Sequence, residues 1–170
     1  MRPSVFALTL LMLASSLHAQ QPQPSAGNQQ AAMQLFASAA DINGLIAKAR
    51  TQRKPDQPNF VQPVVKHASY SVNLEYRVAG LKAPASVHER EAELFFVVEG
   101  SGTAVTGGKL RDEKRTNAEN LSGSDIDGGS SRPIAKGDVI MVPENVPHWF
   151  NPTGGALVML SLHLPKPPAP

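Results

Sequence analysis

The 170-residue chain has no cysteine and a single tryptophan. Without thiols there can be no disulfide framework, no thiolate metal ligand, no thiol nucleophile and no lipid-modified cysteine to tether the chain to a membrane. No dinucleotide fingerprint is present, and the glycines of GSGTAVTGG (residues 100–108) precede no helix, so they read as hairpin turns rather than a phosphate cradle. Charge of one sign is also lacking. The formal net charge is +2 and the Lys and Arg residues are scattered without a stripe, which argues against a nucleic-acid partner. Aromatic residues make up only 5%, whereas Gly (13) and Pro (15) are plentiful, a mix that favours turns and short strands over long helices.

Long hydrophobic runs are missing as well. The apolar segment from Val5 to Leu13 is too short to span a bilayer, which argues against stable membrane insertion. It follows Arg2 and precedes a polar, small-residue stretch ending at Ala19, so residues 1–19 are expected to be a secretory signal peptide, with an uncleaved anchor as the alternative. The expected location is therefore secreted, periplasmic in a two-membrane bacterium. Residues 20–37 begin with QQPQPSAGNQQ and are expected to form a disordered leader.

The remaining chain divides into one helix and a strand-rich domain. Over residues 38–54, Ile42, Leu45, Ile46 and Ala49 recur at helical spacing behind Ser38 or Asp41 as N-cap. Residues 55–67 are expected as a linker because prolines fall at 55, 58 and 63. From residue 68 to 164 strands dominate. Tyr70, Val72, Leu74 and Tyr76 alternate with Ser71, Asn73, Glu75 and Arg77 at period two. ELFFVVEG predicts a buried strand ended by Gly100, with SGTAVTGG as its hairpin partner, and IAKGDVIMVP, PHWFNP and ALVMLSLHL predict further strands. Residues 109–133 form an insertion expected as either a lid or a solvated hairpin, and residues 165–170 a frayed tail. The pattern predicts an all-β barrel or sandwich with one N-terminal helix.

Chemistry concentrates in two segments. The first runs Ser86-Val87-His88, four residues, Glu93, six residues, Gly100. The second runs Gly137, five residues, Pro143, Glu144, Asn145, two residues, His148, then Asn151. Together they resemble the paired motifs of the cupin superfamily, across roughly residues 68–164. Ser86 stands where that family carries the first imidazole of a His-x-His pair. Asn145 stands at its usual glycine, a place where Asn is the next-best residue for positive φ. The resemblance implies a jelly-roll β-barrel, a homodimer, and metal ligation by His88, Glu93 and His148.

Two imidazoles and one carboxylate suit a divalent metal, with positions left open for substrate. Fe, Mn, Ni, Zn and Co are all compatible with that donor set. Alternation places Phe95 and Val97 on the face of Glu93, and Phe150 on the face of His148, so an apolar pocket with the metal at one end is expected. Alone, His88 would read as an exposed loop histidine. Glu89 and Glu91 read as solvated turn residues. His148 lies just past a turn, where an unpaired buried imidazole would be costly. Trp149 is expected to point away and pack, and His163 to be either an ordinary strand residue or a further group at the site. Glu89, Glu91 and His163 are the nearby acid–base candidates.

The expectation is an exported enzyme acting on a small-molecule substrate. The resemblance implies dioxygenation, isomerisation, decarboxylation or lyase chemistry. The alternative is a non-catalytic small-ligand-binding module, favoured by the serine at position 86.

Overall fold

The structure is a computed structural model that describes residues 35–166; the signal peptide and most of the leader expected over 1–37, and the last four residues of the tail, lie outside the described residues. Helix α1 spans Ala39–Gln52. Ser38 caps it: its hydroxyl accepts from the Asp41 amide at 3.2 Å, and the Asp41 carboxylate accepts from the Ser38 amide at 2.9 Å. This reciprocal box satisfies two donors that the first turn would leave bare. The helix lays Ile42, Leu45 and Ile46 against Leu74, Tyr76 and Val158 on the outer face of the barrel. Burial of Ile46 there contributes about 2 kcal/mol.

Eleven strands follow: β1 (Asn59–His67), β2 (Tyr70–Val78), β3 (Ala85–His88), β4 (Glu91–Thr106), β5 (Lys109–Arg111), β6 (Lys114–Arg115), β7 (Asn120–Gly123), β8 (Asp125–Asp127), β9 (Ser130–Ala135), β10 (Val139–Val142) and β11 (His148–Pro165). The main sheet runs β1-β2-β11-β3-β7-β6, and β4 pairs with β11, β9 and β10. The barrel is filled by Phe95, Val97, Ala104, Ile134, Val142, Phe150, Leu157 and Met159. The fold is a jelly-roll β-barrel with one helix at its N-terminal side among the described residues.

Three segments differ from the sequence expectation. Residues 55–67 are not all linker, since β1 begins at Asn59. Pro63 is tolerated because β1 is the terminal strand of the sheet and its register shifts between Pro63 and Val65. ELFFVVEG and SGTAVTGG are not a hairpin but one 16-residue strand, bent rather than reversed at Gly100. The two expected C-terminal strands likewise join as β11. Its halves pair with the two halves of β4, and the register shifts between Thr153 and Val158, where Gly154 and Gly155 take positive φ.

Candidate metal centre

Glu93 lies near the start of β4, between β10 and β11, with Val142 and His163 as its two cross-strand partners. Its side chain is only 3% exposed. His88 ends β3 and His148 begins β11, so the two imidazoles reach Glu93 from different strands. His88 Nε2 stands 3.1 Å and His148 Nε2 3.3 Å from the same oxygen, Glu93 Oε2. One ligand atom from each of the three residues lies within 4.8 Å of the others. The three residues implied by the motifs are thus brought together, inside the barrel.

The turns that deliver these residues are tied to each other. Asn145 adopts φ 63, as expected for the residue at the family's glycine, and its amide donates to the His88 carbonyl at 2.8 Å. Each ring is also held from behind. His88 Nδ1 lies 2.7 Å from Asn120 Oδ1, and His148 Nδ1 lies 3.2 Å from the Val146 carbonyl. With Nδ1 hydrogen-bonded to an acceptor, Nε2 is left as the metal-facing nitrogen in the neutral ring, the arrangement typical of ligating histidines.

The site is electrostatically coupled. Burial disfavours the charge on His88, but hydrogen bonds to Glu93 and Asn120 and the charges of Glu93 and Glu91 outweigh it and raise its pKa to about 9. Burial likewise pushes the Glu93 carboxyl upward, yet the hydrogen bonds from His148 and His88 and the charges of His148 and His163 hold it well below the usual carboxylate range. Without metal, the centre therefore carries a buried anion balanced by imidazolium.

Asn120 was not anticipated from sequence. It belongs to the 109–133 insertion, where the expected solvated hairpin forms between β6 and β7 with residues 111–119 exposed, and β7 also pairs with β3, which makes Asn120 the cross-strand partner of His88. Nothing in the local sequence links residues 32 positions apart, so only the pairing reveals it. Glu89 faces outward to Arg115, at 2.7 and 3.0 Å. Glu91 is not a solvated turn residue: it is half-buried and its carboxylate lies 2.7 Å from His163 Nδ1. Trp149 packs, donating from Nε1 to the Ala83 carbonyl at 2.9 Å. Asn151 is exposed on β11 and takes no part in the site.

The interior is less apolar than expected. Phe95 and Phe150 meet at a tilt with 4.5 Å between ring centroids, and Phe95 is also 5.8 Å from the His148 ring. The wall made by β2, however, is polar. Its apolar face, with Leu74 and Tyr76, is covered by α1, so Asn73, Glu75 and Arg77 turn inward beside Ser161, Met159 and Leu157. Arg77 grips Glu75 at 2.6 Å and lies over the Phe150 ring at 5.4 Å. A separate groove of about 550 Å3, lined by residues such as Thr106, Arg132 and Met141, contains none of the convergent residues.

The sequence profile described as Cupin matches residues 64–167. The chain belongs to the cupin family. Solved structures agree on this fold. A Bacillus halodurans protein is 17% identical with a TM-score of 0.52, covering 79% of this chain and 83% of its own. A Thermus thermophilus protein is 16% identical with a TM-score of 0.51, covering 71% and 95%. A Klebsiella pneumoniae protein described by its double-stranded β-helix domain is 14% identical with a TM-score of 0.51, covering 69% and 85%. No curated protein matches the chain. In this cupin, the cluster of His88, Glu93 and His148 suggests a metal site.

Proposed function

We propose that this cupin is an exported metal-dependent enzyme that holds a divalent transition-metal ion through His88, Glu93 and His148 and acts on a small metabolite by dioxygenase, isomerase or lyase chemistry. The observation that carries the reading is the convergence of two imidazole nitrogens on one oxygen of a carboxylate that is 3% exposed. A buried carboxylate is costly unless neutralised, and a cation among those donors neutralises it. The set of two nitrogens and a carboxylate oxygen fits Fe, Mn, Co, Ni or Zn. Such an ion supplies a Lewis acid that polarises a substrate oxygen or activates water. The chain's own contributions are orientation by Asn120 and Val146, and a barrel interior in which Phe95 and Phe150 supply apolar contact. Arg77 and Asn73 supply polar contact. Glu91 and His163 form the nearest titratable pair beside the centre.

The proposal extends to place and assembly. The arginine, apolar run and small-residue stretch of residues 1–19 support export to the periplasm. Among the described residues no helix is long and apolar enough to cross a membrane. A homodimer is proposed from family membership alone.

Metal analysis of protein purified without a histidine tag tests the reading. The wild type is expected to carry close to one transition-metal ion per chain, and His88→Ala and His148→Ala to carry almost none. A wild type that stays metal-free after reconstitution with Fe, Mn, Co, Ni and Zn would leave the second reading, a small-ligand-binding module without catalysis, which the serine at position 86 favours.

A related expectation concerns the insertion. Asn120→Ala removes the acceptor at 2.7 Å from His88 Nδ1 but no ligand. The variant is expected to keep its fold and to bind the ion on the order of 10- to 100-fold more weakly, the usual effect of losing a group that orients a ligand. Isothermal titration with cobalt measures it.

A further inference from the structure

We infer that His163 is a third imidazole ligand of the same centre, replacing the histidine that position 86 lacks. The inference rests on the metal reading above and deepens it. Serine is a poor ligand for a divalent ion unless deprotonated, and Ser86 is the cross-strand partner of His148, at the site's edge. On the other flank of Glu93, β11 brings His163 directly opposite in register. Directly opposed residues place their side chains on the same face of a sheet. His163 Nε2 stands 3.3 Å from Glu93 Oε1, the oxygen that His88 and His148 leave free. All three imidazole Nε2 atoms therefore abut one carboxylate.

The other ring nitrogen makes the same case. His163 Nδ1 lies 2.7 Å from Glu91 Oε1, as His88 Nδ1 lies beside Asn120 and His148 Nδ1 beside the Val146 carbonyl. Each ring has its Nδ1 tied to an acceptor outside the centre and its Nε2 turned to Glu93. A carboxylate behind an imidazole is the arrangement that fixes a ligating histidine's tautomer and strengthens it as a donor. The His163 ring meets His88 edge-on at 5.5 Å between centroids; its side chain is 18% exposed, so it stands half-buried at the rim, just outside the 4.8 Å group of His88, Glu93 and His148, and joins the ion by a small turn of its side chain. Glu91 serves as its positioning residue.

The test counts ligands. Protein loaded with Mn(II) is measured by pulsed electron paramagnetic resonance for the number of coupled imidazole nitrogens, and by calorimetry for affinity. The wild type is expected to show three. His163→Gln is expected to show two and to bind at least on the order of 100-fold more weakly, because removing a ligand costs no less than removing a group that orients one. Ser86→His combined with His163→Gln is expected to return the count to three and recover most of the affinity. Two coupled imidazoles in the wild type would overturn the inference while leaving the three-residue site standing, and that result needs no variant to fold. No uptake by the wild type would overturn both readings.

Discussion

Replacing Glu93 with Gln is expected to abolish metal uptake and to lower the stability of the metal-free barrel by about 2–3 kcal/mol near pH 6. The carboxylate is 3% exposed, and three imidazoles approach it at 3.1, 3.3 and 3.3 Å. The variant leaves the imidazolium of His88 buried without its counter-charge. Loss of one partner of a buried pair costs more than the pair contributes, because the survivor has lost water as well. The lower end of the range applies here, since His88 can release its proton and glutamine keeps the shape and one acceptor. Thermal or urea unfolding of apo protein measures the loss.

The pH dependence follows from the same pair. His88 has a folded pKa of about 9 against an ordinary 6.5, so its contribution to stability is complete below 6.5 and lost as pH rises through 9. Glu93 is shifted the other way, so its contribution is present above 4.5 and lost as pH falls. The apo barrel is therefore expected to be most stable between these limits. The stability gap between wild type and Glu93→Gln should narrow as pH approaches 9. Metal binding must displace the His88 proton, so affinity should rise roughly tenfold per pH unit between 7 and 8.5. In Glu93→Gln, the His88 ring should titrate below 9, because only the Asn120 hydrogen bond and the Glu91 charge then oppose burial. An unchanged His88 titration in that variant would remove Glu93 as the cause.

Much of this arrangement was readable in the sequence, and the parts that were not share a reason. Spacing within a strand or turn is local. His88 to Glu93, Gly137 to His148, and the helix face of Ile42, Leu45, Ile46 and Ala49 could all be read because each lies within a dozen residues. Strand pairing is not local. Asn120 reaches His88 only because β7 adds to β3, and His163 reaches Glu91 across 72 positions because β11 runs back along β4. The same limit hid the continuity of β4 and β11: a glycine inside a long strand looks the same in sequence as one that reverses the chain. The polar inner wall was concealed differently. Alternation in β2 separates two faces but does not say which is covered by α1, and here the apolar face is the outer one.

Gly100→Ala is expected to destabilise the barrel by about 4 kcal/mol. Gly100 has φ 84, a region that costs a residue with a Cβ about 1–2 kcal/mol. The larger part is contact. A Cβ there would lie 1.9 Å from the Ala156 carbonyl oxygen, 3.0 Å from its carbon and 3.3 Å from Leu157 Cα. All three are backbone atoms of β11, so no side chain can swing aside. The bend of β4 must flatten or β11 must move away, opening the contacts of Leu157 and Met159 in the core. Overpacking of this kind typically costs 1–3 kcal/mol beyond the dihedral strain. Gly137→Ala is the control: φ is 95, but nothing lies within 4 Å of its Cβ, so only the strain of about 1–2 kcal/mol should appear. The difference between the two variants in urea unfolding isolates the close approach of β4 and β11. Equal losses would mean that β11 yields at Ala156 without cost, and the glycine would then be needed for its dihedral angle alone.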